Sequence, residues 1–100
     1  WMARRYGTPF LEIVLNNGGW KAPRLSALAV HPEGFASKSD DLGIAFDPPP
    51  DYSGIAAAAG GAFARIVKDP GEVSPAIRDA LRAVREEKRA AVVDVWLPHL

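Results

Sequence analysis

Three short apolar segments recur along the chain, and each is separated from the next by a segment with helical features. They span residues 10–15, 62–67 and 90–96. Short, largely apolar runs of this kind are typical of strands covered on both faces in a parallel sheet. Parallel strands need crossover connections, which place helices on the faces of the sheet. The pattern therefore predicts an α/β fold with three mutually parallel strands.

Capping residues mark two of the helices between these strands. Ser74 and Pro75 predict an N-cap followed by proline at the first helical position, and apolar side chains then recur at three- and four-residue spacing. Residues 51–59 predict a short helix of small side chains, which is capped by Asp51 or Ser53 and stops at a pair of glycines.

The remaining segments are interpreted from the same signals. Residues 1–6 are expected to form the last turns of a helix closed by Gly7, and residues 20–30 a helix with Pro23 in its first turn. Residues 31–50 are dominated by glycine, proline, serine and aspartate, which predicts a long surface loop. Because loops of this length are uncommon in compact domains, we expect this one to be a binding or lid segment.

Composition narrows the class of protein. With 100 residues, 48% hydrophobic and 24% charged, the chain is expected to form one globular domain around one core. Twelve basic and twelve acidic residues cancel without forming long blocks, so neither nucleic acid nor a membrane is an expected partner. No apolar run approaches the ~20 residues that cross a bilayer. The lack of cysteine excludes a disulfide framework, and we expect a soluble, cytoplasmic protein.

The start of the chain suggests a longer parent protein. The sequence opens on Trp1 and an apolar-basic segment, without an initiator methionine. Three strands also make a small sheet with an exposed apolar edge, which a preceding segment with more strands would cover. We therefore expect residues 1–100 to be the C-terminal part of a domain.

The candidate site lies at the end of the first strand, where residues 16–19 read Asn-Asn-Gly-Gly. In open α/β sheets, ligands bind beyond the carboxyl ends of the strands. An asparagine carboxamide oxygen and a backbone carbonyl are hard neutral donors suited to magnesium, and glycine lets the backbone approach a phosphate. Asparagine and glycine are also ordinary turn residues, so a plain strand-to-helix turn is the alternative.

A family resemblance favours the ligand site. The segment from Arg4 to Trp20 resembles the second half of the thiamine diphosphate motif, which opens with Gly-Asp-Gly and closes with Asn-Asn after a buried strand. Residues 50–61 are similar to the helix of that family that begins Pro-Asp-aromatic and continues with small residues and glycine. The resemblance covers nearly the whole chain. It implies the C-terminal part of the three-layer, parallel-sheet thiamine diphosphate-binding domain of an acetolactate synthase-like enzyme.

The resemblance also implies roles for individual residues. The Asn17 side-chain oxygen and the Gly19 carbonyl would bind Mg2+ beside an aspartate of the Gly-Asp-Gly half, which these 100 residues lack. The cofactor-binding set would comprise Asn16, Asn17, Gly18, Gly19 and Trp20. Asn16 would brace the turn, and Trp20 would border the substrate cavity or pack against the sheet. No residue here matches the activating glutamate, so none is assigned a catalytic role.

Other polar residues are weaker candidates. Lys21 and Arg24 are suited to attract a carboxylate, although solvated charges at a helix start are the usual case. His31 is a candidate for the active site or an exposed or capping histidine. Asp94, inside an apolar strand, is either a buried anion that needs partners or an acceptor for the backbone. The pair Asp40 and Asp41 is more typical of a solvated loop than of a metal site, and we expect His99 to be a tail residue.

The leading hypothesis is that the chain forms part of a homo-oligomeric enzyme that depends on thiamine diphosphate and Mg2+. This enzyme would act on a 2-oxo acid or an aldehyde by decarboxylation or carboligation. The alternative is a non-catalytic module of the same fold that binds cofactor or stabilises an oligomer. A nucleotide-binding α/β domain is the third possibility, but the chain lacks a glycine-rich phosphate loop after a strand.

Overall fold

Three parallel strands form the sheet of the computed structural model, which describes residues 1–40 and 42–98. The strands are β1 (Leu11–Asn16), β2 (Phe63–Val67) and β3 (Ala91–Trp96), in the order β1-β3-β2. Both pairings are parallel, so the predicted strands and their direction are confirmed. β3 lies between the other two, and its first four residues are buried.

The described part of the chain contains five α-helices and one 3-10 helix, and all but the first lie between strands. They are α1 (Met2–Tyr6), α2 (Lys21–Val30), α3 (Phe35–Lys38), α4 (Tyr52–Gly60), a 3-10 turn (Pro70–Glu72) and α5 (Val73–Arg85). Gly7 ends α1 in the left-handed conformation, with φ 62°. Asp51 caps α4 by accepting a hydrogen bond from the Gly54 N–H at 2.7 Å. The predicted ends of both helices are therefore correct to within a residue.

The described residues divide into two compact units. The first comprises Trp1–Asn16 and Asp51–Leu97, and the second is built from Asn17–Pro50. Every fully buried hydrophobic residue of the described ranges lies in the first unit. The buried apolar core of the described ranges therefore lies within the first unit.

Helices cover both faces of the sheet in the first unit. α5 buries Ala76 and Ala80 against Val67, Ala91 and Val93. Their small side chains let the helix approach the strands closely. Successive side chains of β3 point to opposite faces, so Asp94 lies on the face away from α5. The Tyr52 N–H at the start of α4 donates to Asp94 there, which places α4 on that second face. The three-layer α/β class is thereby confirmed.

β1 differs from the prediction of a strand covered on both faces. Ile13 is 43% exposed and Leu15 66% exposed. Both are in register with β3 residues whose side chains face α5, but β1 lies at the edge of the sheet and α5 packs mainly over β3 and β2. The edge position therefore leaves this face of β1 open.

Two local predictions are wrong. Ser74 is not the N-cap of α5, because the helix already begins at Val73 and Ser74 Oγ accepts a hydrogen bond from Arg78 instead. The preceding 3-10 turn, capped by Asp69, starts the helical winding earlier. Residues 31–50 are not a featureless loop, since they contain α3 and an isolated bridge between Ala45 and Gly19. The predictions for Asp41 and His99 lie outside the described residues.

No helix within the described ranges is long and apolar enough to cross a membrane.

Candidate cofactor-binding site

The turn after β1 exposes one asparagine and requires glycine at the next position. Asn17 is exposed, and its Oδ1 accepts a hydrogen bond from the Gly19 N–H at 3.2 Å. Gly18 is buried with φ 71°, in the left-handed region that side chains disfavour. An amide oxygen has two lone pairs, so Asn17 Oδ1 retains one for a further donor or a cation.

A backbone bridge holds Gly19 against the segment around Ala45. The Trp20 N–H donates to the Ile44 carbonyl at 2.8 Å, and the Phe46 N–H donates to the Gly18 carbonyl at 2.7 Å. A Cβ at position 19 would collide with the Ile44 carbonyl oxygen, so only glycine fits this approach. Both bridge hydrogen bonds use the neighbours of Gly19. No hydrogen bond in the described ranges accepts at the Gly19 carbonyl, which is therefore left for another ligand.

A small cleft adjoins this turn within the second unit. It has a volume of about 110 Å³ and is lined by Asn17, Gly18, Gly19, Trp20, Lys21, Arg24, Leu25, Ile44 and Ala45. The Trp20 ring packs edge-to-face on Phe46, with 5.4 Å between the ring centroids, yet remains 59% exposed. Trp20 therefore borders a cleft beside the predicted ligand turn.

Asn16 occupies a different environment from Asn17. It is 6% exposed, and its Nδ2 donates to Asp94 Oδ2 at 3.4 Å. The same carboxylate oxygen accepts the Tyr52 N–H at 3.3 Å. Asp94 is fully buried, and its Oδ1 has no hydrogen-bond partner among the described residues. Asp94 is thus a buried carboxylate that links the end of β1 to the start of α4.

The other candidates fall outside this arrangement. His31 is exposed at the C-terminal end of α2, where its backbone N–H donates to the Ala27 carbonyl. Asp40 is exposed. Across the described ranges, no group of three or more histidine, cysteine or acidic side chains is placed to hold a metal ion.

The oxygen donors of the turn fit Mg2+ shared with a diphosphate. Mg2+ is bound in proteins by few protein oxygens, with water and phosphate oxygens completing an octahedron. The exposed Asn17 amide and the unused Gly19 carbonyl are oxygens of this kind. Gly18 and Gly19 have no side chains, so they leave the cleft beside the turn open. The residues present therefore suit one part of a metal-diphosphate site.

The comparison with protein-family models identifies the chain. Residues 1–95 match the model described as thiamine pyrophosphate enzyme, C-terminal TPP binding domain. Since the match covers nearly the whole chain, the protein belongs to this family. It is a thiamine diphosphate-binding domain of a thiamine diphosphate-dependent enzyme. Neither the curated proteins nor the solved structures provide a significant match.

Sequence reasoning missed two contacts around the site. The bridge from Gly19 to Ala45 was hidden in a segment interpreted as a loop, although the apolar triplet 44–46 stands out there. The link between Asn16 and Asp94 joins residues 78 positions apart. An aspartate inside the apolar sequence of β3 indicates that a buried partner is needed, but no local sequence pattern identifies that partner.

Proposed function

We propose that this chain supplies the metal-diphosphate anchor of a thiamine diphosphate- and Mg2+-dependent enzyme that acts on 2-oxo acids, by decarboxylation or by carboligation, in the manner of acetolactate synthase-like enzymes. The observation that carries the proposal is the turn after β1. Its exposed Asn17 oxygen and its unused Gly19 carbonyl belong to a chain of the thiamine diphosphate family.

Each residue of the turn has a separate task in this proposal. Asn17 Oδ1 and the Gly19 carbonyl would hold Mg2+, which would supply positive charge for the diphosphate. Gly18 adopts the left-handed conformation that the turn after β1 requires, and Trp20 lines the cleft beside this turn. Asn16 braces the end of β1 through Asp94. Thiamine diphosphate, when bound, supplies the nucleophilic carbon and the electron sink for the bond that breaks.

The remaining parts of the active site come, in this proposal, from outside these 100 residues. They are the aspartate of the Gly-Asp-Gly half, the glutamate that activates the cofactor, and a second subunit that contributes this glutamate. The substrate is a small 2-oxo acid or an aldehyde. The residues of this chain would bind the cofactor and orient it towards the substrate.

The test uses the full-length protein that contains this chain, freed of metal and cofactor. Thiamine diphosphate is titrated with and without Mg2+, binding is followed by calorimetry, and turnover is measured with pyruvate and benzoylformate. We expect Mg2+-dependent binding and release of carbon dioxide or formation of a carboligation product. Binding without turnover of any 2-oxo acid would support the non-catalytic module instead. Binding that is indifferent to Mg2+ would contradict the anchor.

A further inference from the structure

Two basic side chains line the cleft beside the Asn17–Gly19 turn. Lys21 and Arg24 are both half-buried, whereas the two residues between them on α2 are exposed. Neither forms an ion pair or a side-chain hydrogen bond with any residue of the described ranges. Two partly desolvated cations therefore share one cleft without a counterion among the described residues.

The described residues of the cleft supply no negative charge to balance them. None of the nine described residues that line it is acidic, although the chain as a whole is neutral. Lysine and arginine are rarely withdrawn from water unless they are paired, because a charge loses solvation when it is buried. The arrangement is therefore balanced once an anion enters the cleft.

We propose that Lys21 and Arg24 together bind an oxyanion next to the metal-binding turn, which is either the carboxylate of the 2-oxo acid or the diphosphate of the cofactor. This inference rests on the proposed function. Arginine offers a planar fork that matches two oxygens of one anion, and lysine adds a point charge with three donors. Lys21 and Arg24 are then specificity-determining residues, since a neutral analogue of the same ligand gains nothing from them.

The experiment compares charged and uncharged probes in the full-length protein. The variants are Lys21→Gln, Arg24→Gln and their combination, which remove the charge and shorten the side chain. Lys38→Gln is the matched control, because Lys38 is an exposed cation of the same unit that does not line the cleft. In the cofactor arm, the dissociation constants of thiamine diphosphate and thiamine are measured with Mg2+ present. In the substrate arm, the KM for pyruvate is compared with the inhibition constant of methyl pyruvate.

In one arm, we expect the double variant to bind the anionic probe roughly 10- to 100-fold more weakly than wild type does. This loss corresponds to one or two charge-assisted hydrogen bonds. The uncharged probe of that arm should bind as in wild type, and Lys21→Arg, which keeps the positive charge, should bind the anionic probe nearly as tightly as wild type does. The affected arm identifies the anion as diphosphate or carboxylate. Rising ionic strength should weaken the wild-type interaction and narrow the difference.

The inference is overturned if the double variant and Lys38→Gln bind the probes of both arms with the same affinity. It is also overturned if the double variant loses as much affinity for the uncharged probe as for the charged one. The proposed function fails separately, if the wild-type protein does not bind thiamine diphosphate with Mg2+. In that case binding of inorganic diphosphate, which needs no catalysis, decides the inference. Equal affinities of wild type and double variant for it would then reject an anion site.

Discussion

The two adjacent asparagines after β1 should fail in different ways when each is replaced by alanine. Asn16→Ala removes a buried amide, and Asp94 then keeps a single donor, the Tyr52 N–H. Depriving a buried polar group of its partner costs about 1–3 kcal/mol. Because this hydrogen bond is long, at 3.4 Å, we place the loss of unfolding free energy at the lower end of that range, about 1 kcal/mol.

Asn17→Ala should leave the free energy of unfolding nearly unchanged and weaken the binding of the cofactor. The side chain is exposed, and its one hydrogen bond, to the Gly19 N–H at 3.2 Å, contributes less than about 1 kcal/mol. Loss of a direct metal ligand should lower the affinity for thiamine diphosphate at least tenfold. Mutating a residue that only hydrogen-bonds to a metal ligand already lowers metal affinity or activity by roughly 10- to 100-fold. A loosened diphosphate would also misplace the reacting ring, which lowers turnover.

The assay measures both quantities on the full-length protein. Urea denaturation of the apo form gives stability, and titration of thiamine diphosphate at fixed Mg2+ gives cofactor affinity. Asn17→Asp is the control, because it keeps an oxygen ligand at the same place and should retain most of the metal binding. Equal cofactor affinities for wild type and Asn17→Ala would refute the ligand assignment and favour a plain turn. A greater loss of affinity in folded Asn16→Ala than in Asn17→Ala would do the same.

Four further outcomes follow from the geometry. Gly19→Ala should destabilise the turn by about 1–3 kcal/mol and abolish cofactor binding, because its Cβ meets the Ile44 carbonyl oxygen; unchanged calorimetric binding would contradict this. Asp51→Ala should cost about 1 kcal/mol in urea denaturation through loss of the α4 cap, whereas Asp51→Asn should cost less. Lys88→Gly should raise the free energy of unfolding by about 1 kcal/mol, because Lys88 has φ 54° in the turn that follows α5; a loss of stability would show that its side chain has a compensating role. The purified 100-residue chain should show no turnover of pyruvate or benzoylformate with thiamine diphosphate and Mg2+, and detectable product would disprove the need for outside residues.

Local signals in the sequence were sufficient for most elements of the fold. Short apolar runs indicated the three strands, and Gly7 and Asp51 marked helix ends that the structure confirms. These features depend on neighbouring residues, which a sequence displays directly. Ser74 misled for the same reason, since an equally local turn at Asp69 starts the winding first.

Features that join distant residues were not predictable from local pattern. The strand order β1-β3-β2 depends on which apolar faces pair, and the sequence left it open. The Asn16–Asp94 hydrogen bond and the Gly19–Ala45 bridge each require knowledge of the fold. For the candidate site, the turn was found from residue type and family resemblance. Its metal-binding role stays a prediction.

The central place of β3 has a consequence for synthesis in the cell. β1 and β2 do not pair with each other, and both find their hydrogen-bonding partner in β3, which is translated after them. Among the described residues, neither β1 nor β2 therefore has a strand to pair with until residues 91–96 have been synthesised. A nascent chain that ends before residue 91 would hold these two strands without the hydrogen bonds that β3 supplies, and their backbones would stay open to pairing with other chains.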